Sequence, residues 1–236
     1  MVYSWLKNVQ FTLLPGRCVL CAENSGRQQD LCCDCEATLT RPWSRCQRCA
    51  LPCAHEVSDC GQCSAADFRI TRCEALAPYR FPIDQLIGAF KYQRQIAPGK
   101  ALAGLLAAQL RRRYSGDDMP GCLIPVPLHW RRQWLRGFNQ SHTIAMELHS
   151  RLDIPVADRI LSRRRATPSQ QQLDRKARQR NLKQAFSISR APGEKHVALI
   201  DDVFTTGATC NQLAGLLLGC GVERVDAWCL ARTAAQ

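Results

Sequence analysis

The stretch "VALIDDVFTTGAT", residues 197–209, joins a run of apolar residues to two adjacent acids and then to a loop of threonine and glycine. A short apolar run that ends in polar residues is typical of a buried strand. Apolar residues at helical spacing continue beyond the loop as far as Gly219 and Gly221, which are suitable helix-ending residues. We therefore interpret the stretch as a strand, a loop and the first turn of a helix.

The same alternation of strand and helix runs through most of the chain. Apolar runs predict three further strands, and apolar residues at helical spacing predict three further helices. The strands are expected at 73–80, 122–128 and 224–232, and the helices at 81–92, 99–113 and 139–152. Such alternation favours an α/β fold with a mostly parallel sheet covered on both faces. Ligands of these sheets bind at the carboxyl ends of the strands.

The loop after the strand has the features of a phosphate site. Free N–H groups and the positive dipole end at a helix N-terminus favour a phosphate, and Gly207 lets the backbone approach it. Hydroxyl donors come from Thr205, Thr206 and Thr209. Two acids beside a phosphate would repel it unless they serve sugar hydroxyls or a Mg²⁺ ion held through water. A phosphorylated sugar fits both halves; the alternative is an N-cap at Asp202 followed by an ordinary turn.

Cysteine spacing predicts two zinc sites near the start of the chain. Of the 15 cysteines, eight form four CxxC pairs, and a gap of ten residues separates the pairs within each half. Two such pairs supply the four thiolates of a tetrahedral Zn²⁺ site with Zn–S distances of about 2.3 Å. Four thiolates leave no open position for water, so the metal is expected to be structural. Sequential pairing gives two tandem ribbons, and a cross-braced arrangement uses the same ligands: Cys18, Cys21, Cys32, Cys35, Cys46, Cys49, Cys60 and Cys63.

These observations divide the chain into a double zinc ribbon at 1–70 and an α/β domain at 71–236, and charge follows the same division. Residues 1–70 carry seven basic and seven acidic side chains, so the net charge of +12 comes from the second domain. Within it, residues 159–183 hold nine Lys or Arg and a single acid. This segment is a solvated face, a lid over a phosphorylated ligand or a nucleic-acid surface. Three of its cations share one face of a possible helix: Lys176, Arg180 and Lys183.

Several classes of protein are disfavoured by composition. No apolar stretch reaches membrane-spanning length, and Lys7, Asn8 and Gln10 interrupt the N-terminal segment that would otherwise resemble a secretory signal. Many cysteines without an export signal indicate metal binding in a reducing compartment. We expect a cytoplasmic protein without a membrane span.

The string from Val197 to Thr209 resembles the phosphoribosyl-pyrophosphate (PRPP) motif of type I phosphoribosyltransferases. A broader resemblance covers nearly the whole chain: a double zinc ribbon, "FKYQ", "PVPLHWRRQWLRGFNQSHTIA", "TPSQQQLDRKARQRNLKQAF" and the PRPP motif follow one another as in the ComF family of competence-associated proteins. The resemblance implies a type I phosphoribosyltransferase-like sheet in the second domain.

The resemblance also implies roles for individual residues. Asp201 and Asp202 would contact the ribose 2- and 3-hydroxyls, and Mg²⁺ would accompany PRPP. Arg136, followed by Gly137, would contact pyrophosphate, since an arginine fork suits phosphate oxygens. With the two acids it forms the expected catalytic set. The 5-phosphate would be held by Thr205, Thr206, Gly207, Ala208 and Thr209.

Three functions follow from these expectations. The first is a role in DNA uptake or natural transformation, with bound single-stranded DNA and with a helicase and single-strand-binding factors as partners. The second is an active phosphoribosyltransferase, and the third is a PRPP-sensing transcription regulator, which is weaker because no helix-turn-helix is visible. The acceptor of a transferase stays open, because Thr205 stands where 6-oxopurine enzymes carry an acid that contacts the base.

Overall fold

The computed structural model describes residues 16–27, 29–64, 68–128, 137–163 and 186–234. Within these ranges the helices and strands follow one another along the chain, with a 3-10 turn at Gly116–Asp118. In chain order they are α1 (Cys33–Leu39), α2 (Gly61–Ser64), β1 (Arg72–Pro78), α3 (Ile83–Tyr92), α4 (Ile96–Arg113), β2 (Cys122–Pro125), α5 (Gln140–Leu152), β3 (Leu161–Arg163), β4 (Phe186–Ile188), β5 (His196–Phe204), α6 (Ala208–Leu218) and β6 (Arg224–Arg232).

Four of the strands form one parallel sheet in the order β1-β6-β5-β2. Eight of the nine residues of β6, from Val225 to Arg232, are buried, and so are all four residues of β2. Strands buried on both faces read as nearly continuous apolar runs, which is why both were visible in the sequence. The expected α/β fold with a parallel sheet is confirmed.

Each face of the sheet is covered by its own core. Side chains alternate between the faces of a strand, so Trp228 and Leu230 join the core beneath α3, α4 and α5, whereas Ala227 and Cys229 join the core beneath α6. Asn139 caps α5 through its side-chain oxygen, which accepts a hydrogen bond of 3.0 Å from the Ser141 N–H. Asn139 and Ser141 are both suitable caps by residue type, and the structure assigns the cap to Asn139.

The two cysteine-rich segments pack on opposite faces of the sheet. Cys18, Leu31 and Leu39 belong to the core with α3, α4 and α5, while Cys46 and Cys49 belong to the core with α6. Zinc ribbons of this size have almost no core of their own; in the fold these two share the cores of the sheet. The division of the chain at residue 70 stays a prediction.

One feature of the fold was not foreseen. A short antiparallel hairpin, β3–β4, pairs Leu161 with Ile188, and its first strand lies inside the segment interpreted as a basic surface. None of the helices in the described parts of the chain is both long enough and apolar enough to cross a membrane.

Candidate functional site

Asp201 and Asp202 lie near the carboxyl end of β5, one strand in from the β2 edge of the sheet. Pairing with β6 continues past them, because Val203 and Phe204 still have partners on that strand. The sequence suggested that the acids come where the strand ends. In the structure they lie within the strand. This position holds both backbones rigidly at the edge where ligands of parallel sheets bind.

Each acid is held by a side chain from a helix that packs on the sheet. The Nζ atom of Lys91, on α3, lies 2.8 Å from Oδ1 of Asp202, and the two side chains are only 15% and 13% exposed. Oδ1 of Asp201 accepts hydrogen bonds from the Ser141 hydroxyl at 3.2 Å and from the backbone N–H of Asp202 at 2.9 Å. Helices α3 and α5 thus converge on the acid pair.

The acid pair has an unusual titration. Burial, and after it the neighbouring Asp202 carboxylate, together raise the pKa of Asp201 to about 7, although the Asp202 backbone N–H, Lys91 and Ser141 act in the opposite direction. Loss of water and a like charge both disfavour ionisation of a carboxylic acid. Asp201 is therefore partly protonated near neutral pH, whereas most aspartates are fully ionised there.

Gly207 shapes the loop that follows β5. Its φ of 74° lies in the left-handed region, and a Cβ atom there would come within 2.6 Å of the Phe204 ring and 2.8 Å of the Phe68 ring. Only glycine fits both the conformation and the space. Gly207 is also the N-cap of α6, so the alternative with Asp202 as cap is wrong. Thr205 and Thr206 are exposed beside the first turn of this helix. The Ala208 N–H donates a long hydrogen bond of 3.4 Å to the Thr206 hydroxyl, and the N–H groups of a first turn have no partner within the helix, which suits them to an anion.

A buried arginine at the end of β6 joins this loop to the second cysteine-rich segment. The guanidinium of Arg232 donates hydrogen bonds to the Cys49 carbonyl at 2.8 Å and the Phe204 carbonyl at 3.2 Å, and it also contacts the Thr205 carbonyl. It further donates to the Thr233 carbonyl at 2.6 Å. One guanidinium therefore binds backbone carbonyls of the second cysteine-rich segment, of the end of β5 and of the residue after β6.

The cysteine sulfurs meet in two groups of four. Within each group the ligand atoms lie within 4.8 Å of one another. Four soft thiolates at such distances are the donor set of a structural zinc site. The structure brings the first CxxC pair to the second and the third to the fourth, which is the sequential arrangement. We name these the first group (Cys18, Cys21, Cys32, Cys35) and the second group (Cys46, Cys49, Cys60, Cys63).

Sequence reasoning missed three residues of the site, and some expected residues lie outside the described ones. Lys91 occurs in the "FKYQ" motif, to which the sequence assigned no role. Ser141 lies two residues after Asn139, the cap of α5, and was not expected to contact the acids. The sequence signal for Arg232 was weak: it is a charged residue at the end of a mostly apolar predicted strand, which suggests a buried arginine with partners. The expected pyrophosphate contact Arg136 falls outside the described residues, as do the three cations Lys176, Arg180 and Lys183.

Comparison with known proteins agrees with this geometry. The family model of the phosphoribosyl transferase domain matches residues 139–236. The DNA utilization protein YhgH of Salmonella typhimurium is 35% identical over 93% of this chain and 98% of its own length. Competence protein F of Haemophilus influenzae is 35% identical over 92% of this chain and 96% of its own.

Among solved structures, a purine phosphoribosyltransferase from Pyrococcus horikoshii matches 56% of this chain and 80% of its own, with a TM-score of 0.34 and 14% identity. That likeness is too remote to bear on the function. The similarity to the two full-length relatives, together with the paired cysteine groups and the phosphoribosyl transferase domain, shows that this chain belongs to the ComF family of competence-associated proteins.

Proposed function

We propose that this protein binds PRPP at the carboxyl edge of its sheet and acts in DNA uptake, with single-stranded DNA as its nucleic-acid ligand. The observation that carries the PRPP site is the acid pair held by Lys91 and Ser141 beside the glycine-opened start of α6. It supports a ligand that carries both hydroxyls and a phosphate.

The two halves of the site suit different parts of PRPP. Carboxylates at Asp201 and Asp202 accept hydrogen bonds from ribose hydroxyls, and carboxylate oxygens also suit Mg²⁺. The 5-phosphate would lie on the N–H groups that begin α6, with the hydroxyls of Thr205, Thr206 and Thr209 as further donors. Lys91 keeps the pair from carrying two unbalanced negative charges before the ligand arrives.

The DNA part of the proposal rests on the relatives and on charge. Their names refer to DNA utilization and competence, and the net charge of +12 draws the chain to polyanions. The basic segment 159–183 is the proposed contact, and the cytoplasm is the proposed location. A helicase and single-strand-binding factors are the proposed protein partners.

Titration calorimetry tests the PRPP proposal directly. Purified protein is titrated with PRPP in the presence and absence of Mg²⁺, and again with a single-stranded oligonucleotide present. We expect saturable PRPP binding that Mg²⁺ strengthens. Absence of PRPP binding under all these conditions would overturn the proposed pocket and leave the DNA role to be judged separately.

The raised pKa of Asp201 predicts a pH-dependent affinity for PRPP. An ionised carboxylate accepts the ribose hydroxyls better than a protonated one, so affinity should rise up to about tenfold per pH unit below about 7 and level off above it. Because Lys91 opposes the raised pKa, Lys91→Met should move the profile to higher pH. Calorimetry at a series of pH values from about 5.5 to about 8.5 measures both profiles.

Asp201→Asn provides the control, because it removes this titration but leaves the ionisation of the ligand's own phosphates in place. A wild-type profile identical to that of the Asn variant would contradict the assignment. An unshifted profile in Lys91→Met would show that Lys91 does not tune the acid pair.

Catalytic transfer is the second candidate function, and the titration of Asp201 favours it. A group whose pKa is about 7 can take or give a proton near neutral pH, as general acid–base catalysis requires. The reaction would release pyrophosphate from PRPP as a nitrogenous acceptor attacks the ribose. Pyrophosphate release measured with a panel of nucleobases tests this, and its absence with every acceptor would favour a binding role only.

The basic segment carries a separate prediction. Replacing Lys176, Arg180 and Lys183 with Gln should flatten the salt dependence of single-stranded DNA binding by roughly two units, at about 0.7 unit per phosphate contact. PRPP affinity should stay unchanged, because other residues hold the ribose and the 5-phosphate. A lid predicts the reverse: unaltered DNA affinity with weaker pyrophosphate contacts. Fluorescence anisotropy across a salt series, with PRPP titration of the same variant, distinguishes the two.

A further inference from the structure

A basic groove lies where the linker between the two cysteine groups meets the end of α4. The cavity has a volume of about 430 Å³, within the range of roughly 300–1,000 Å³ that is usual for ligand sites. We name it the linker groove and define it by six of its lining residues: Arg41, Trp43, Arg45, Glu56, Arg112 and Arg113. It shares no residue with the acid pair or the loop after β5.

Two of the four arginines in the groove are already neutralised. Arg45 lies 2.6 Å from the buried Glu74 carboxylate, and Arg113 contacts both Glu74 at 3.0 Å and Glu56 at 2.6 Å. Arg41 and Arg112 are exposed. No described carboxylate pairs with either of these two side chains, one of which comes from the linker between the cysteine groups and the other from α4. Two available cations therefore line the groove.

Trp43 lines the same groove, and two contacts fix its ring. Its indole N–H donates a hydrogen bond of 3.2 Å to the Leu76 carbonyl, and the Arg45 guanidinium is 5.0 Å from the ring centroid. These contacts hold the ring in one orientation while part of it stays exposed in the groove. A fixed, partly exposed indole is a platform on which an unstacked base can lie.

We propose that the linker groove binds single-stranded DNA, with backbone phosphates at Arg41 and Arg112 and one base on Trp43. A single strand fits because the bases of a duplex are stacked on each other and cannot cover the indole face. The inference rests on the proposed DNA role and adds a binding surface in the described part of the chain. Two segments contribute: Arg41 lies in the linker between the cysteine groups and Arg112 lies on α4.

The test uses the full-length zinc-loaded protein and a fluorescent oligothymidine. Arg41→Gln with Arg112→Gln should flatten the log–log salt dependence by about 1.4 units, since each of two phosphate contacts contributes about 0.7. Trp43→Leu should weaken binding by about tenfold, whereas Trp43→Phe, which keeps an aromatic ring, should retain most of the affinity. Zinc content and thermal unfolding verify that each variant is folded.

Arg17→Gln with Arg190→Gln is the matched control, because it removes the same charge from two exposed arginines outside the groove. It should leave the salt dependence close to that of the wild type. If the wild type does not bind oligothymidine at all, the proposed DNA role itself fails. If the wild type binds and the groove variants bind equally well, the groove inference fails and the DNA role stands. Equal losses on a duplex of the same length would overturn the single-strand assignment.

Discussion

Replacing Asp201 and Asp202 together by asparagine is expected to weaken PRPP binding by at least tenfold, which corresponds to about 1.4 kcal/mol. Asparagine keeps the size of the side chain but turns a charged acceptor into a neutral amide, so ribose hydroxyls and Mg²⁺ lose their strongest partners. Titration calorimetry of the double variant beside the wild type measures the change.

The fold should tolerate this double substitution. Removing two like charges relieves the repulsion that raises the pKa of Asp201, while Lys91 loses an ion pair in which its own side chain is 15% exposed. These two changes act in opposite directions, so the thermal midpoint should move little. A matched variant, Asp84→Asn with Asp153→Asn, changes the net charge by the same amount at two residues outside the acid pair and the loop after β5. Asp153 is in the left-handed conformation, which asparagine also accepts.

Unchanged PRPP affinity in the double variant would mean that the two acids are structural. The proposed pocket would then be wrong, whatever the control shows. A similar loss in the control variant would instead assign the effect to overall charge. Only a loss confined to Asp201 and Asp202 supports the proposed contact with ribose.

Zinc removal is expected to have the second large effect. Elemental analysis of fresh anaerobic protein should find two zinc ions per chain, one for each group of four cysteines. Structural zinc contributes an apparent free energy of about 10–16 kcal/mol, which is as large as the whole stability of a typical domain, about 5–15 kcal/mol. Because Cys18 and Cys46 lie in the two cores of the sheet, chelation should abolish cooperative unfolding of the entire chain.

Loss of zinc from the second group should also reach the PRPP pocket. Arg232 binds the Cys49 carbonyl and the Phe204 and Thr205 carbonyls at once, so displacement of the Cys49 backbone frees the support of the loop. Cys32→Ser and Cys60→Ser remove the third ligand of the first and second groups respectively. We expect one zinc ion in each variant and the larger loss of PRPP affinity in Cys60→Ser.

A further variant isolates the support itself. Arg232→Met should keep both zinc ions but weaken PRPP binding, because methionine occupies similar space without donating to the carbonyls.

One or no zinc ion in the wild-type protein would count against the double ribbon. Equal PRPP affinity in the Cys32 and Cys60 variants would show that the loop does not depend on the second group.

Much of the fold could be predicted because its signals are local. Buried strands such as β5 and β6 contain short runs of apolar residues, and α5 is preceded by Asn139, whose side chain caps it. The hairpin β3–β4 escaped prediction because its strands are three residues each and its partners are far apart in the chain. A pattern that short has no periodicity to detect.

The candidate site divides along the same line. The acids Asp201 and Asp202, the glycine at 207 and the four CxxC pairs were evident from the sequence by itself, because carboxylates, a permissive backbone and thiolates at fixed spacing are chemical requirements that residue types state directly. Their neighbours along the chain are enough to recognise them. The sequence did not determine which CxxC pairs share a zinc ion, since the sequential and the cross-braced arrangements use the same ligands.

Only the tertiary structure decided which distant residues tune those groups. Lys91 reaches Asp202 from another helix, Ser141 reaches Asp201 across 60 positions, and Arg232 reaches Cys49 across 183. The raised pKa of Asp201 exists for the same reason, because burial and a neighbouring charge are properties of the packed sheet. Contacts of this kind depend on how helices and strands pack, and local periodicity carries no record of that packing.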